Sequence, residues 1–197
     1  MAFNKNFKLR FLPGLSLIEY VVAFAIFGII SMMAAGVYFA HFRLFSNQNT
    51  AIDINTQQKL ALTDITNQLR QSESIVSTCP SCGADTSGAT SLILRLWPID
   101  AAQEPIDPAG SNYDYIVYKR NPSDTTELIR ITYPYATSTR KSGNHVVAVS
   151  IGDLQFTYDN GTPSLASQVT VTVTITATNN GKTQTVSDSA KVDLRNK

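Results

Sequence analysis

Two closely spaced cysteines are the side chains with the most evident capacity for chemistry. Cys79 and Cys82 flank Pro80 and Ser81, a spacing that suits a local disulfide, a redox pair or half of a zinc site. A redox pair would open a helix in a β-α-β frame, whereas this one follows a predicted helix. Zinc would need two more ligands, and the chain has no other cysteine. The leading interpretation is a structural disulfide that tightens the turn from helix to sheet.

The other residues that could support catalysis or metal binding form no functional pattern. The two histidines, His41 and His145, are far apart, and no Gly-x-Ser-x-Gly motif occurs. Asp153, Asp159 and Asn160 are close in sequence but lack the spacing of a calcium loop. We therefore expect no enzyme activity, no cofactor and no metal site.

A single carboxylate stands in a long apolar segment. Glu19 is the only charged residue in residues 15–40, a stretch that would span about 39 Å as a helix at 1.5 Å per residue. A carboxylate at the centre of a membrane helix costs about 2.5 to 3.5 kcal/mol on insertion scales. Glu19 therefore needs a positive partner, or it lies at the level of the lipid headgroups.

The residues before this segment indicate how it lies in a membrane. Residues 1–14 carry three positive charges and no acid, which favours an N-terminus in the cytoplasm and a body outside it. A cleaved secretory signal would have a shorter apolar region that ends at a small-residue site. We therefore predict a retained single-pass anchor.

The chain after the anchor is predicted to remain helical. Residues 37–79 contain no Pro or Gly, so nothing interrupts a helix there. The apolar positions recur near helical spacing and are Ile54, Leu62, Ile65, Leu69 and Val76. We expect an amphipathic helix that ends near Ser77 and lays this stripe on a sheet.

The sequence pattern of the remaining residues is typical of an antiparallel sheet. Short β-prone runs separated by turn residues lie at 92–97, 113–119, 127–133, 146–151, 154–158, 169–178 and 185–194. The sixth run alternates Val or Ile with Thr, which predicts one buried face. Asn180 and Gly181 suit the turn of a hairpin between the last two runs. The expected fold is α+β, a long N-terminal helix packed on a C-terminal antiparallel sheet.

Composition narrows the class of partner. The chain has 197 residues, 43% hydrophobic content and a net charge of +1. This length suits one ordinary domain with a helical extension. Because no broad basic field is present, no nucleic-acid partner is evident, and any contact with DNA would have to be local.

The junction between leader and anchor carries a specific motif. Residues 14–19 read GLSLIE, a Gly after a basic leader with Glu at the fifth position beyond it. This segment resembles the class III signal of type IV pilins and type II secretion pseudopilins. The resemblance implies cleavage between Gly14 and Leu15 by prepilin peptidase and N-methylation of Leu15. It also implies that Glu19 pairs with the N-terminal amine of a neighbouring subunit. Tyr20 departs mildly, since the family often has Leu, Met or Val there.

Later segments are similar to particular members of that family. The runs YDYIVYK, ELIRITY and LQFTYDNG and the ending at Leu194, Arg195 and Asn196 look like those of minor pilins and J-type pseudopilins. The resemblance favours a minor subunit in the initiation or tip complex of a type IV pilus or pseudopilus. The implied partners are prepilin peptidase, an inner-membrane assembly platform and other pilins or pseudopilins in a hetero-oligomeric filament.

The predicted layout has four parts, and two other functions stay open. We assign a leader to residues 1–14, a transmembrane or filament-core helix to 15–40, its amphipathic continuation to 41–78 and the β domain to 79–197. The protein would lie in the cytoplasmic membrane and then in the periplasm or at the cell surface. One alternative is an anchored extracytoplasmic binding domain that never polymerises. The other is a redox protein built around Cys79 and Cys82.

Overall fold

The regular elements of the described residues are one long α-helix, eight strands and a short 3-10 helix at Pro163–Leu165. The structure, a computed structural model, describes residues 16–108, 110 and 112–194. The chain divides into two compact units, with the boundary between Ser46 and Asn47. Helix α1, Leu17–Gln71, contributes residues to both units. The strands are β1 Ser74–Ile75, β2 Ser91–Leu96, β3 Asp114–Arg120, β4 Leu128–Tyr133, β5 Gly143–Ala148, β6 Ile151–Tyr158, β7 Gln168–Asn179 and β8 Lys182–Asp193.

The C-terminal part of α1 packs one face against the strands. Its buried positions share one face of the helix and are Ile54, Gln58, Ala61, Leu62, Ile65 and Leu69. The apolar ones form the main core with residues of both sheets. The predicted α+β architecture is therefore confirmed, with the helix stripe packed against residues of both sheets. Of the predicted stripe, only Val76 lies beyond the helix.

Helix α1 ends at Gln71, before the predicted end near Ser77. The chain then pairs with β2, since Glu73 N donates to Arg95 O at 2.9 Å. Val76 N donates to a β2 carbonyl at 3.1 Å. Backbone groups that another helical turn would have satisfied are satisfied by the sheet, so tertiary pairing ends the helix early.

The strands form two antiparallel sheets, in the orders β1-β2-β3-β4-β5 and β6-β7-β8. The sequence predicted one continuous strand at 146–151, but β5 ends at Ala148 and β6 begins at Ile151 in the other sheet. Between them Ser150 adopts φ 62°, in the left-handed region. Its carbonyl accepts a hydrogen bond from Thr176 N at 2.8 Å, which fixes the point where the chain changes sheets.

Strand β7 is the centre of the three-stranded sheet. Its inward side chains are fully buried and are Val169, Val171, Val173 and Ile175. This alternation confirms the predicted buried face. Asn180 and Gly181 have φ 51° and 75°, as a two-residue hairpin turn requires. The predicted hairpin between β7 and β8 is also confirmed.

Gly152 leaves room for a close approach between β6 and β7. A Cβ atom there would lie 2.6 Å from Thr176 Oγ1 and 3.3 Å from Thr176 Cβ. We expect Gly152→Ala to lower the free energy of unfolding by about 1 to 3 kcal/mol, measured by urea denaturation. Adding Thr176→Ala should restore part of the loss, because the Oγ1 atom at 2.6 Å is removed while Thr176 Cβ at 3.3 Å remains. Wild-type stability of the single variant would contradict this account.

Candidate assembly site

The first unit presents apolar side chains on every side of the helix. Residues 16–45 are exposed throughout, with Leu17 at 85% and Met32 at 78%. Helix α1 contains an 18-residue window apolar enough to cross a membrane, by length and composition. A helix that is apolar around its whole circumference suits lipid or other helices better than water. This part of the chain can therefore serve as a single membrane anchor.

Glu19 lies in the first turn of α1 and caps it. Ser16 precedes the helix, and its backbone N–H donates to Glu19 Oε2 at 2.6 Å. This is one of the two bonds of a capping box, in which a residue at the third helical position returns to the N-cap amide. The carboxylate also lies at the positive end of the helix dipole. Sequence reasoning missed this cap, although Ser-x-x-Glu before an apolar run is its known signal.

The two residues of the predicted processing site, Gly14 and Leu15, lie outside the described residues, as do Arg195 and Asn196. Glu19 is exposed and carries the only charge between Leu17 and Arg43. The first turn of the apolar helix therefore carries a single carboxylate. Such a group can cap its own helix and can also form an ion pair with a positive group of another chain.

The two cysteines are joined by a disulfide, with Cα atoms 5.3 Å apart. Both are buried, at 7% and 4% exposure, against Ile93, Tyr115 and Val117. Neighbouring residues on the same strands face the main core, so this cluster covers the opposite face of the five-stranded sheet. Sequence analysis placed the disulfide in the helix-to-sheet turn. The structure places it one element later, in the loop between β1 and β2.

The residues considered for metal binding are spread over the chain. Within residues 16–108, 110 and 112–194, no group of three or more His, Cys, Asp or Glu side chains could hold a metal ion. His41 lies on α1 and His145 on β5, and both are exposed.

The acidic residues near β6 stabilise local structure. Asp159 accepts hydrogen bonds from Ser167 N at 2.9 Å and Ser167 Oγ at 2.5 Å. The bond from the Ser167 hydroxyl lowers the pKa of Asp159. Asn160 Oδ1 accepts from Thr162 N at 3.0 Å, and Asp153 pairs with an arginine of β3 at 3.6 Å.

A fully buried carboxylate organises the loop after β4. Asp114 has no exposed surface and accepts hydrogen bonds from Tyr135 N and Ser138 Oγ, both at 2.7 Å. Arg140 Nε donates to the same carboxylate at 2.9 Å. Asp114 and three groups of a loop more than 20 residues later thus satisfy one another, which no local pattern could reveal.

A second ionic cluster joins the helix to the five-stranded sheet. Asp64 of α1 accepts from the Tyr118 hydroxyl at 2.6 Å and from Arg130 Nη1 at 2.7 Å. Burial raises the pKa of Tyr118 far above its usual value, and the nearby negative charge of Asp64 raises it further. The cluster fixes the helix on β3 and β4.

Tyr158 makes the stability of the fold sensitive to alkaline pH. Its hydroxyl donates to Gly88 O at 3.1 Å, and burial raises its pKa well above the usual value near 10. The unfolded tyrosine ionises from about pH 10 while the folded one stays neutral. Stability is therefore retained below pH 10 and falls above it, by up to about 1.4 kcal/mol per pH unit. Tyr158→Phe should show a shallower fall in guanidinium titrations, and equal slopes would contradict this assignment.

No protein-family model matches the chain, and a search of the curated proteins finds no match. A function must therefore be argued from the chain's own features. These are the GLSLIE motif of residues 14–19, the capped apolar helix and the α+β domain that follows it.

Proposed function

We propose that this chain is a minor pilin-like subunit of a type IV pilus or type II secretion pseudopilus, processed after Gly14 and assembled through its N-terminal helix. The observation that carries the proposal is the position of Glu19. It is the only charge on an exposed apolar helix segment, five residues after the glycine of a basic leader. The helix continues into a domain whose antiparallel strands cover its apolar stripe.

The assembly step follows from the cost of an isolated charge in hydrocarbon. Insertion scales give about 2.5 to 3.5 kcal/mol for a charged side chain at the centre of a membrane helix. Pairing Glu19 with the amine of a processed Leu15 on the next subunit would compensate both charges and would set the stagger between subunits. Close contact of apolar helices would supply the rest of the interaction.

The same reasoning proposes a location and a set of partners. The candidate membrane helix and the basic leader favour a single pass through the cytoplasmic membrane, with the N-terminus in the cytoplasm. The β domain would then lie in the periplasm or at the cell surface. Prepilin peptidase would process the chain. An inner-membrane platform would insert it beside other pilins or pseudopilins, in an initiation or tip complex.

The direct test is the mass and N-terminal sequence of the protein extracted from membranes of its native host. We expect a chain that begins at Leu15, with or without a methyl group, and a chain that begins at Met1 in a strain without the peptidase. Gly14→Val should block cleavage, whereas the neighbouring Ser16→Ala should still be cleaved. A wild-type chain that keeps its leader would make this an ordinary anchored domain and would refute the proposal.

One observation favours a second function, an anchored binding domain that does not polymerise. The bond between Ser16 N and Glu19 gives the carboxylate a use within its own helix. On this account Glu19 needs no partner subunit. Substitutions that keep the cap but remove the charge separate the two functions.

A further inference from the structure

A cleft of about 480 Å³ opens where α1 ends beside the end of β2. This volume lies in the range of pockets that hold small ligands, roughly 300 to 1,000 Å³. Arg70 and Gln71 line it from α1, Trp97 from the end of β2, and Gln103 and Arg140 from two loops. All of these residues belong to the second unit.

The loop that carries Gln103 is held firmly. Ile99 and Pro105 form an isolated β-bridge at its base. Within it, Asp100 Oδ1 accepts from two backbone amides, at 2.8 and 3.0 Å. Gln103 adopts φ 65°, a left-handed conformation that a residue with a side chain rarely takes. The surrounding hydrogen bonds fix Gln103 at the edge of the cleft.

The opposite wall is equally ordered. Arg140 is held by the buried carboxylate of Asp114 at 2.9 Å. Its Nη2 atom also donates to Trp97 O at 3.3 Å. The guanidinium thus fixes the backbone that bears Trp97 and presents a planar donor surface beside it.

Two side chains of the cleft are accessible to a ligand. Trp97 is the only tryptophan of the chain and is 41% exposed, although an indole is a costly group to leave in water. Arg70 is exposed and, in the part of the chain that the structure describes, has no ion-pair partner. An aromatic face and a free guanidinium therefore line the same cavity.

We propose that this cleft binds a sugar unit that carries a carboxylate, such as a hexuronic acid. The apolar face of the pyranose ring would lie on Trp97, and the carboxylate would pair with Arg70 in the bidentate geometry of a guanidinium. The side-chain amides of Gln71 and Gln103 supply donors and acceptors for ring hydroxyls. Binding of this ligand does not depend on whether the chain assembles into a filament.

Charge around the cleft favours a singly charged ring over a nucleic acid. The loop next to it carries three acidic residues, Asp100, Glu104 and Asp107. Asp114 already compensates Arg140. A phosphate chain would meet these carboxylates with one free arginine to offset them, whereas a single carboxylate needs only that arginine.

The test uses the full chain in a detergent without a sugar headgroup. Because Trp97 is the only tryptophan, its fluorescence reports directly on the cleft as methyl galacturonoside, a single ring with one carboxylate, is added. We expect a saturable change with a Kd below ~10 mM. The methyl ester of the same ring, which lacks the charge, should bind at least about tenfold more weakly.

Arg70→Ala should weaken binding about tenfold, whereas Lys59→Ala, an exposed cation on the same helix outside the cleft, should leave it unchanged. Calorimetry on the same samples detects binding that leaves fluorescence unaltered. The proposal is overturned if neither method shows saturation up to ~10 mM, a range that covers affinities as weak as typical fragments. Equal affinity for the ester, full binding by Arg70→Ala, or tighter binding of a thymidine oligonucleotide would also overturn it.

Discussion

Glu19→Gln is expected to leave a processed, membrane-inserted chain that no longer enters filaments. Glutamine can replace glutamate at the third helical position of a capping box, so the bond from Ser16 N is retained. What is lost is the charge that would pair with the amine of a neighbouring Leu15. Removing one partner of a desolvated charge pair costs about 3 to 5 kcal/mol. We therefore expect at least a hundredfold less protein in sheared filament fractions, measured by quantitative immunoblot.

Three comparisons make this result specific. The amount of variant in the membrane fraction and its N-terminus at Leu15 should match wild type, which shows that export and cleavage are intact. Glu104→Gln, an exposed glutamate in the second unit, should assemble normally. Wild-type incorporation of Glu19→Gln would show that Glu19 serves only as a cap, and the non-polymerising function would then be favoured.

Asp114→Ala is expected to cause the largest loss of stability in the β domain. The carboxylate is fully buried and accepts from Tyr135 N, Ser138 Oγ and Arg140 Nε. Its removal leaves three donors without their acceptor, one of them on a side chain that is only 20% exposed. Breaking a buried ion pair in this way costs about 3 to 5 kcal/mol. Urea unfolding followed by circular dichroism measures the loss.

Two further variants distinguish the contribution of the Asp114 charge to stability from that of its hydrogen bonds. Asp114→Asn keeps one acceptor oxygen of similar position and should lose less than the alanine variant. Asp53→Ala, on the exposed side of α1, should change stability by less than about 0.5 kcal/mol. A loss below about 1 kcal/mol for Asp114→Ala would mean that water or a rearranged loop satisfies the three donors.

The elements that the sequence predicted well are those with a local periodic signal. The helical spacing of Ile54, Leu62, Ile65 and Leu69 and the alternation along β7 depend on near neighbours in the chain, and the structure buries these faces as expected. The turn at Asn180 and Gly181 is equally local, because it depends on two residues that tolerate positive φ.

The elements that the sequence missed depend on partners far along the chain. Helix α1 stops at Gln71 because β2 offers backbone groups that only the folded chain brings near. The change of sheet at Ser150 depends on a hydrogen bond from Thr176. The cleft around Trp97 and the ionic clusters at Asp64 and Asp114 likewise join segments with no common sequence pattern.

The candidate assembly site was predicted from the sequence only in part. Gly14, Leu15 and Glu19 were found from motif spacing alone, and their proposed roles stay predictions. The cap from Ser16 to Glu19 could have been found, since its signal lies within four residues of sequence. The same carboxylate that is unusual in an apolar helix thus also has a local contact with the backbone at the start of that helix.

The contact between Gln58 and Val173 has a consequence for biosynthesis. Gln58 is buried in the helix stripe, and its amide donates to Val173 O at 3.1 Å across 115 residues of sequence. The part of the α1 stripe around Gln58 is therefore covered only after β7 has been made. At about 5 to 20 residues per second, roughly 6 to 23 seconds separate the synthesis of Gln58 from that of Val173. During that interval the nascent chain carries a helix face that is only partly covered, which makes it a client for a chaperone that shields such surfaces.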